Sequence, residues 1–314
     1  MSQHLVKPPG SAQAARRFVF AAERWSGPER AVSCDGIVAG AALQLSHWHA
    51  STTPAELKAD TSTEIALRFV ESPQARAWSE AVVVNNHFDT DGLFSVWTLL
   101  DPEAALARRE LLIAAAEAGD FDGWPEDLRG LQLDAAVRAL VKDCEDDEQS
   151  YERALAALPA LVDTIAARAD LWGPEWERIR SAELEIESGL LVPMRLGPLG
   201  VLHHKLGVEE IPGPLLTREL AGCKRYLLVF ERRGGLDYRY ELPHHAWAET
   251  VQRPRIPAPQ TRRVLAALGD DWTDEGACGM TEVGHTQRPV QQSPDDVLET
   301  LRATDPALAD LPRA

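Results

Sequence analysis

The chain has 314 residues, 45% of them hydrophobic and 26% charged, with a formal net charge of −17. That length can bury a sizeable core and makes two domains the starting expectation, while the acidic balance repels nucleic-acid backbones and disfavours binding to duplex DNA. No apolar run approaches the roughly 18–20 residues of a membrane helix, and the scattered Cys34, Cys144, Cys223 and Cys278 form neither a zinc ribbon nor a disulfide scaffold.

Residues 1–16 lack the apolar stretch of a secretory signal and read as a short disordered arm, so the expected compartment is the cytoplasm. Arg17-Phe18-Val19-Phe20-Ala21 and Ala31-Val32-Ser33-Cys34 are strand candidates, and Leu43-Gln44-Leu45 leads into Ser46-His47-Trp48-His49. Residues 60–70 predict a helix capped by Thr61 or Ser62. Ala81-Val82-Val83-Val84 is a continuous apolar run, as expected of a strand buried in a parallel sheet. It ends in the polar loop 85–92, after which Leu93, Val96, Trp97 and Leu100 recur at helical spacing. Asp101-Pro102-Glu103 opens a further helix, with Gly119 as its stop. Residues 131–187 read as helical throughout. Two hairpins follow, one turning at Gly197-Pro198-Leu199-Gly200 and one at Arg232-Arg233-Gly234-Gly235. The tail from Thr281 onward is polar and reads as loosely packed. The expected organisation is an α/β domain over 17–187, a parallel sheet flanked by helices with a helical extension, and a smaller α+β domain over 188–314.

The chemistry concentrates in Asn86-His87-Phe88-Asp89-Thr90-Asp91-Gly92. Ligands in open α/β sheets bind beyond the carboxyl ends of strands, and this loop follows the most apolar strand of the chain. Alternate residues of an extended loop point the same way, so His87, Asp89 and Asp91 are expected to converge on one metal site. Imidazole with carboxylates suits Mn²⁺, Zn²⁺ or Fe²⁺; carboxylates alone would suit Mg²⁺. Gly92 is expected to let the backbone turn tightly into the next helix. The competing reading is a solvated loop in which Asp91 merely caps that helix.

His87, Asp89, Asp91 and Gly92 resemble motif I of the DHH phosphoesterase superfamily, His-x-Asp-x-Asp-Gly after a strand. The superfamily's other signatures resemble segments that lie upstream here, as in a circularly permuted relative. Val32-Ser33-Cys34-Asp35 is similar to the lone-Asp strand, and Leu45-Ser46-His47-Trp48 to a degenerate Asp-His-His strand in which only His47 is kept. Gly119-Asp120-Phe121-Asp122 is similar to the site of the last acidic ligand, although the same residues also suit a helix-terminating turn. The resemblance covers roughly 30–125. It implies a parallel sheet with a second domain closing over the site, and one or two Mn²⁺ (or Mg²⁺) ions. Asp35 would bridge, His87 and Asp89 would hold one ion, and Asp91, His47 and Asp120 the other. His49 would stand in for the missing second histidine, touching phosphate or protonating the leaving group.

The implied reaction is hydrolysis of a small phosphoester, phosphoanhydride or short oligonucleotide by a metal-activated water, with Asp35, His49, His87, Asp89 and Asp91 as the catalytic set. The departures at Ser46 and Trp48 support an alternative, a catalytically inactive nucleotide- or metal-binding regulatory module. A homodimer is left open. The pairs His203-His204 and His244-His245 sit at neighbouring positions, so two histidines of a pair rarely chelate one ion. The basic stretch Lys224–Arg263 reads equally as a phosphate clamp or as ion pairing with the acidic first domain. Trp247 reads as a stacking platform or core filler.

Overall fold

A computed structural model describes residues 16–205, 211–277 and 280–311. The arm expected over 1–16, apart from Arg16, and Cys278 lie outside the described residues.

Four short strands, β1 (Phe18–Phe20), β2 (Ala31–Cys34), β3 (Leu43–Leu45) and, after helix α1 (Ser62–Glu71), β4 (Val82–Asn85), form one sheet. Its order is β1-β4-β2-β3 and every pairing is parallel. The apolar run of β4 is explained by burial on both faces. Val83 packs into the main core with Leu93, Phe94 and Leu112, while Val82 and Val84 meet Ala21, Ala31 and Val38. Helices α2 (Thr90–Leu100), α3 (Pro102–Leu106), α4 (Arg109–Phe121), α5 (Arg129–Val141), α6 (Asp147–Thr164) and α7 (Ala169–Glu187) follow. The segments 21–30 and 35–42, on either side of β2, cover the sheet's other face with Ala21, Trp25, Val38 and Ala41.

The second sheet is mixed. Strands β5 (Leu191–Leu196) and β6 (Leu199–His204) form the first hairpin, helix α8 (Gly213–Glu219) crosses over, and β7 (Arg225–Arg232) and β8 (Gly235–Glu241) form the second. After α9 (Thr261–Leu268) come β9 (Trp272–Thr273), β10 (Glu282–Thr286) and α10 (Pro294–Thr304), giving the order β5-β6-β7-β8-β10-β9. Pro193 is tolerated because β5 is an edge strand. In β7, Leu227 and Val229 face the core built with α9 and α10, and Tyr226, Leu228 and Phe230 face the one built with α8. Ala182 of α7 belongs to that second core, so α7 packs beyond the boundary expected at 187.

Four local expectations are corrected. The single helix from Asp101 is two, broken at 107–108. Gly119 does not stop α4: the left-handed residue is Asp122 (φ 47°). A Cβ at Gly119 would come within 3.0 Å of Asp134 Oδ1 and Thr90 Cβ, so glycine there answers close packing rather than capping. Gly92 makes no turn; it lies in the first turn of α2, where a Cβ would meet Asn85 Nδ2 at 2.7 Å and the Tyr151 hydroxyl at 2.8 Å. The tail beyond Thr281 is packed, with β10 in the sheet and Val297, Leu301, Leu308 and Leu311 in the core. Among the described residues, no helix is long and apolar enough to cross a membrane. Cys34, Cys144 and Cys223 are free thiols.

Candidate metal centre

The carboxyl ends of β2, β3 and β4 each deliver ligand-type side chains to one place. Asp35 ends β2 in the left-handed region (φ 59°), which aspartate adopts more readily than most residues. Holding it there costs on the order of 1–3 kcal/mol, a conformation that persists where the surroundings fix it. They do: Asp35 N–H donates to Leu45 O, and the next amide, Gly36 N–H, donates to Asn85 Oδ1.

His47 follows β3. Its Nδ1 lies 2.7 Å from the Asp60 carbonyl, which can only accept, so Nδ1 carries a proton and, in the neutral imidazole, Nε2 presents its lone pair to the cluster. Asp91 lies in the first turn of α2. Its two oxygens accept from Ser62 and Thr63 N–H, each at 2.7 Å, the unpaired amides that open α1. Ser62 Oγ donates to Asp35 Oδ1 at 2.9 Å. The cap of α2 is Asp89, not Asp91, through Gly92 N–H at 2.6 Å; its other oxygen lies 3.0 Å from His87 Nε2.

Two ligand groups result. Asp35, His47, Asp91 and Asp120 each offer an atom within 4.8 Å of the others, and so do Asp35, His87 and Asp89. Asp35 belongs to both. His47 Nε2 stands 3.2 Å from Asp120 Oδ2, and His87 Nε2 stands 2.8 Å from Asp35 Oδ2. The three ligand candidates of the 87–91 loop therefore do not meet at one point as expected. The helix begins at Thr90, so Asp91 follows helical rather than extended periodicity and joins His47 instead. Asp120 is in the last turn of α4, not in the turn after it.

Burial divides the centre. The side chains of Asp35, His47 and Asp91 are at most 1% exposed, Asp120 is 5%, and His87 and Asp89 are 30% and 38%. Solvent therefore reaches the cluster from the His87–Asp89 side. Within it, Asp35 Oδ2, His47 Nε2 and Asp120 Oδ2 are buried without a well-formed hydrogen bond. Such atoms are rare in folded proteins and call for a compensating group. The electrostatics agree. Burial alone would depress the His47 imidazole, but Asp120, Asp91 and Asp35 raise it to about 10. Burial likewise opposes, and Asp35 and Asp89 outweigh it, in raising His87 to about 11. Asp91 is pushed up to about 6, by burial first and then by the Asp35 charge against the help of His47. Asp120 is raised well above the carboxylate range by burial and by Asp89 and Asp91.

The donor set fits divalent cations. It mixes imidazole nitrogen with carboxylate oxygen, its atoms are gathered within 4.8 Å of one another, and the atoms without a well-formed hydrogen bond are the ones such an ion would satisfy.

The second domain roofs the cluster with residues 244–256. Trp247 packs edge-on to His47 (ring centroids 4.9 Å) and against Trp48 and Phe121 (5.5 and 6.1 Å). Glu249 N–H donates to His47 O at 2.7 Å, and Ala248 bridges Trp48. Asp60 Oδ1 accepts from Val251 and Gln252 N–H at 2.6 and 2.7 Å; Arg253 reaches Asp60 Oδ2 at 2.8 Å and Glu117 at 3.1 Å.

His49 is not brought in. The chain turns back after Trp48, with Ser51 N–H on the Trp48 carbonyl, and leaves His49 exposed beside a cavity of about 250 Å³ lined also by His245 and Arg255. His49 belongs to neither ligand group. Within the basic stretch, Arg225, Arg232, Arg239 and Arg253 are ion-paired, to Asp305, Asp237, Glu241 and Asp60. His203 and His204 pair separately, with Glu231 and Glu185. Sequence reasoning offered Ser62 only as a possible helix cap, a place that Thr61 takes, and assigned no site role to Asp60 or Asn85; the only local signal was a polar run opening a helix.

No curated protein and no solved structure matches the chain. A family model does match residues 15–286, a span that contains every ligand candidate and the strap above them, and the chain accordingly belongs to the family of unknown function DUF6687.

Proposed function

We propose that the protein is a divalent-metal-dependent phosphohydrolase of the DHH type with its motifs in permuted order, acting on a small phosphoester, phosphoanhydride or short oligonucleotide. The observation that carries this reading is the single buried carboxylate, Asp35, shared by two ligand groups whose inner atoms face only one another, without a well-formed hydrogen bond. Asp35, His47, Asp91 and Asp120 would hold one cation and Asp35, His87 and Asp89 the other, with Mn²⁺ favoured by the imidazole ligands. Bound there, the cations would polarise a phosphoryl oxygen and acidify a water molecule.

The chain's own residues do the rest. The amides of Ser62 and Thr63 fix Asp91, the Asp60 carbonyl fixes the His47 tautomer, and Ser62 Oγ fixes Asp35. Four carboxylates would repel an anionic substrate on their own; two divalent cations carry an equal and opposite charge. The half-open His87–Asp89 side is the approach for substrate; Trp48 packs edge-on to His87 at that opening, and Trp247 covers His47 and limits water there.

The reading is tested by Mn²⁺-dependent release of phosphate or nucleotide from a panel of small phosphoesters. Release that disappears in Asp89→Asn supports it. Two Mn²⁺ ions bound with no turnover anywhere in the panel would replace it with a regulatory binding module.

A further inference from the structure

We infer that Asp60 is a positioning residue that couples the seating of the strap 249–253 to the His47 half of the centre. The inference rests on the metal reading above and adds to it a defined linkage between the two domains.

Asp60 is 2% exposed and holds two things at once. Its backbone carbonyl accepts the His47 Nδ1 proton and thereby aims Nε2 at Asp91 and Asp120. Its carboxylate accepts three hydrogen bonds from the strap: two from the Val251 and Gln252 amides on Oδ1 and one from Arg253 on Oδ2. The next three residues are Thr61, which caps α1, and Ser62 and Thr63, which hold Asp35 and Asp91. Three ligands therefore hang from the segment 60–63, and the second domain clamps that segment from outside.

Arg253 extends the clamp. Its other nitrogen meets Glu117, and its guanidinium lies over the Phe121 ring at 4.8 Å. Both residues flank Asp120 in the last turn of α4. The strap thus grips the supports of His47 and Asp120 together, two members of one ligand group. His87 and Asp89 take their supports from Asn86 and Gly92, within their own loop. Asp35 is shared and accepts from Ser62 Oγ, but its main-chain anchor, Leu45 O, belongs to β3 and lies outside the segment 60–63. The geometry predicts selective coupling: loosening the strap weakens one cation position and spares the other. By linkage, filling that position must tighten the strap by the same factor.

The experiment uses the full chain and Mn²⁺ alone, followed by calorimetric titration and electron paramagnetic resonance, with wild type, Asp60→Ala, Asp60→Asn and Arg253→Ala. Arg253→Ala is expected to weaken one class of site by about tenfold, as loss of an outer-sphere support does, and to leave the other class unchanged. Asp60→Asn keeps an acceptor for the two amides and is expected to fall between wild type and Asp60→Ala. In wild type, Mn²⁺ should slow hydrogen exchange in the peptide spanning 249–253, and this slowing should vanish in Arg253→Ala. Wild-type affinities at both sites in Arg253→Ala, equal losses at both sites, or strap exchange indifferent to Mn²⁺ would each overturn the coupling while leaving the centre standing. A wild-type chain that binds no Mn²⁺ overturns the centre itself, and the coupling with it.

Discussion

The two domains each bury charge, and they do so in opposite ways. In the second domain Arg225 is 1% exposed, yet its guanidinium reaches Asp305 at 2.6 Å and the Lys224 and Pro257 carbonyls at 2.8 and 2.7 Å. Asp305 in turn accepts from the Tyr240 hydroxyl and the Ala307 amide. Donors and acceptors balance, and the network closes on itself. In the first domain four carboxylates and two imidazoles share a pocket, and three of the innermost atoms meet only one another or His87, without a well-formed hydrogen bond. A buried network that is complete needs nothing further from outside and serves structure. One made almost wholly of acceptors is destabilising until a cation arrives, and its persistence argues for binding.

The comparison can be broken most severely at Asp305. Asp305→Ala leaves Arg225 buried without its carboxylate and is expected to cost about 3–5 kcal/mol of stability, with or without metal; urea unfolding measures it, and a cost below about 1 kcal/mol would show that water compensates Arg225. Next in size is Asp35→Asn, which removes the carboxylate common to both ligand groups. Mn²⁺ affinity should fall by more than the roughly 10–100-fold typical of losing a mere support, at both sites; an unchanged stoichiometry would remove Asp35 from the centre. The smallest effect carries the most information. In chelator-treated protein, Asp120→Asn relieves repulsion with Asp89 and Asp91 and is expected to raise stability by about 1 kcal/mol, whereas with Mn²⁺ present it should lower it. Thermal melts with and without Mn²⁺ check the sign reversal.

Acid and alkali separate the regions further. Burial would raise the Asp305 carboxyl, but Arg225 and Tyr240 hold it below its ordinary range. Its contribution is therefore present above the unfolded value near 3.9 and lost as pH falls through the lower folded one. His47 runs the other way. Raised to about 10 in the metal-free protein, it stabilises fully below the unfolded value near 6.5, and that contribution fades as pH climbs towards 10. Cations need the neutral imidazole, so binding at pH 7 must release protons and apparent affinity must rise with pH across that window. Calorimetry in two buffers of different ionisation enthalpy should give different apparent heats; identical heats would mean that His47 is already neutral.

The sequence by itself determined the strands and helices whose signal is local. The run 81–84, the hairpin turns and the caps at Thr61 and Asp101 depend on residues a few positions apart, and they form where expected. It also singled out Asp35, His47, His87, Asp89, Asp91 and Asp120 as ligand candidates, and these are the residues that gather. Spacing along the loop put His87, Asp89 and Asp91 at one point, whereas the resemblance implied two groups sharing Asp35; the physical reason for two groups lies in the tertiary structure, where α2 begins at Thr90 and carries Asp91 away from Asp89 and towards His47. Only the tertiary structure decided that Gly92 and Gly119 serve close packing and that His49 faces out, since each depends on neighbours distant in the chain. It alone revealed Asp60, whose hydrogen bonds to the strap join residues 191 and 192 positions apart. No periodicity reports a contact of that separation, because it is fixed by how two domains pack rather than by how either chain segment folds.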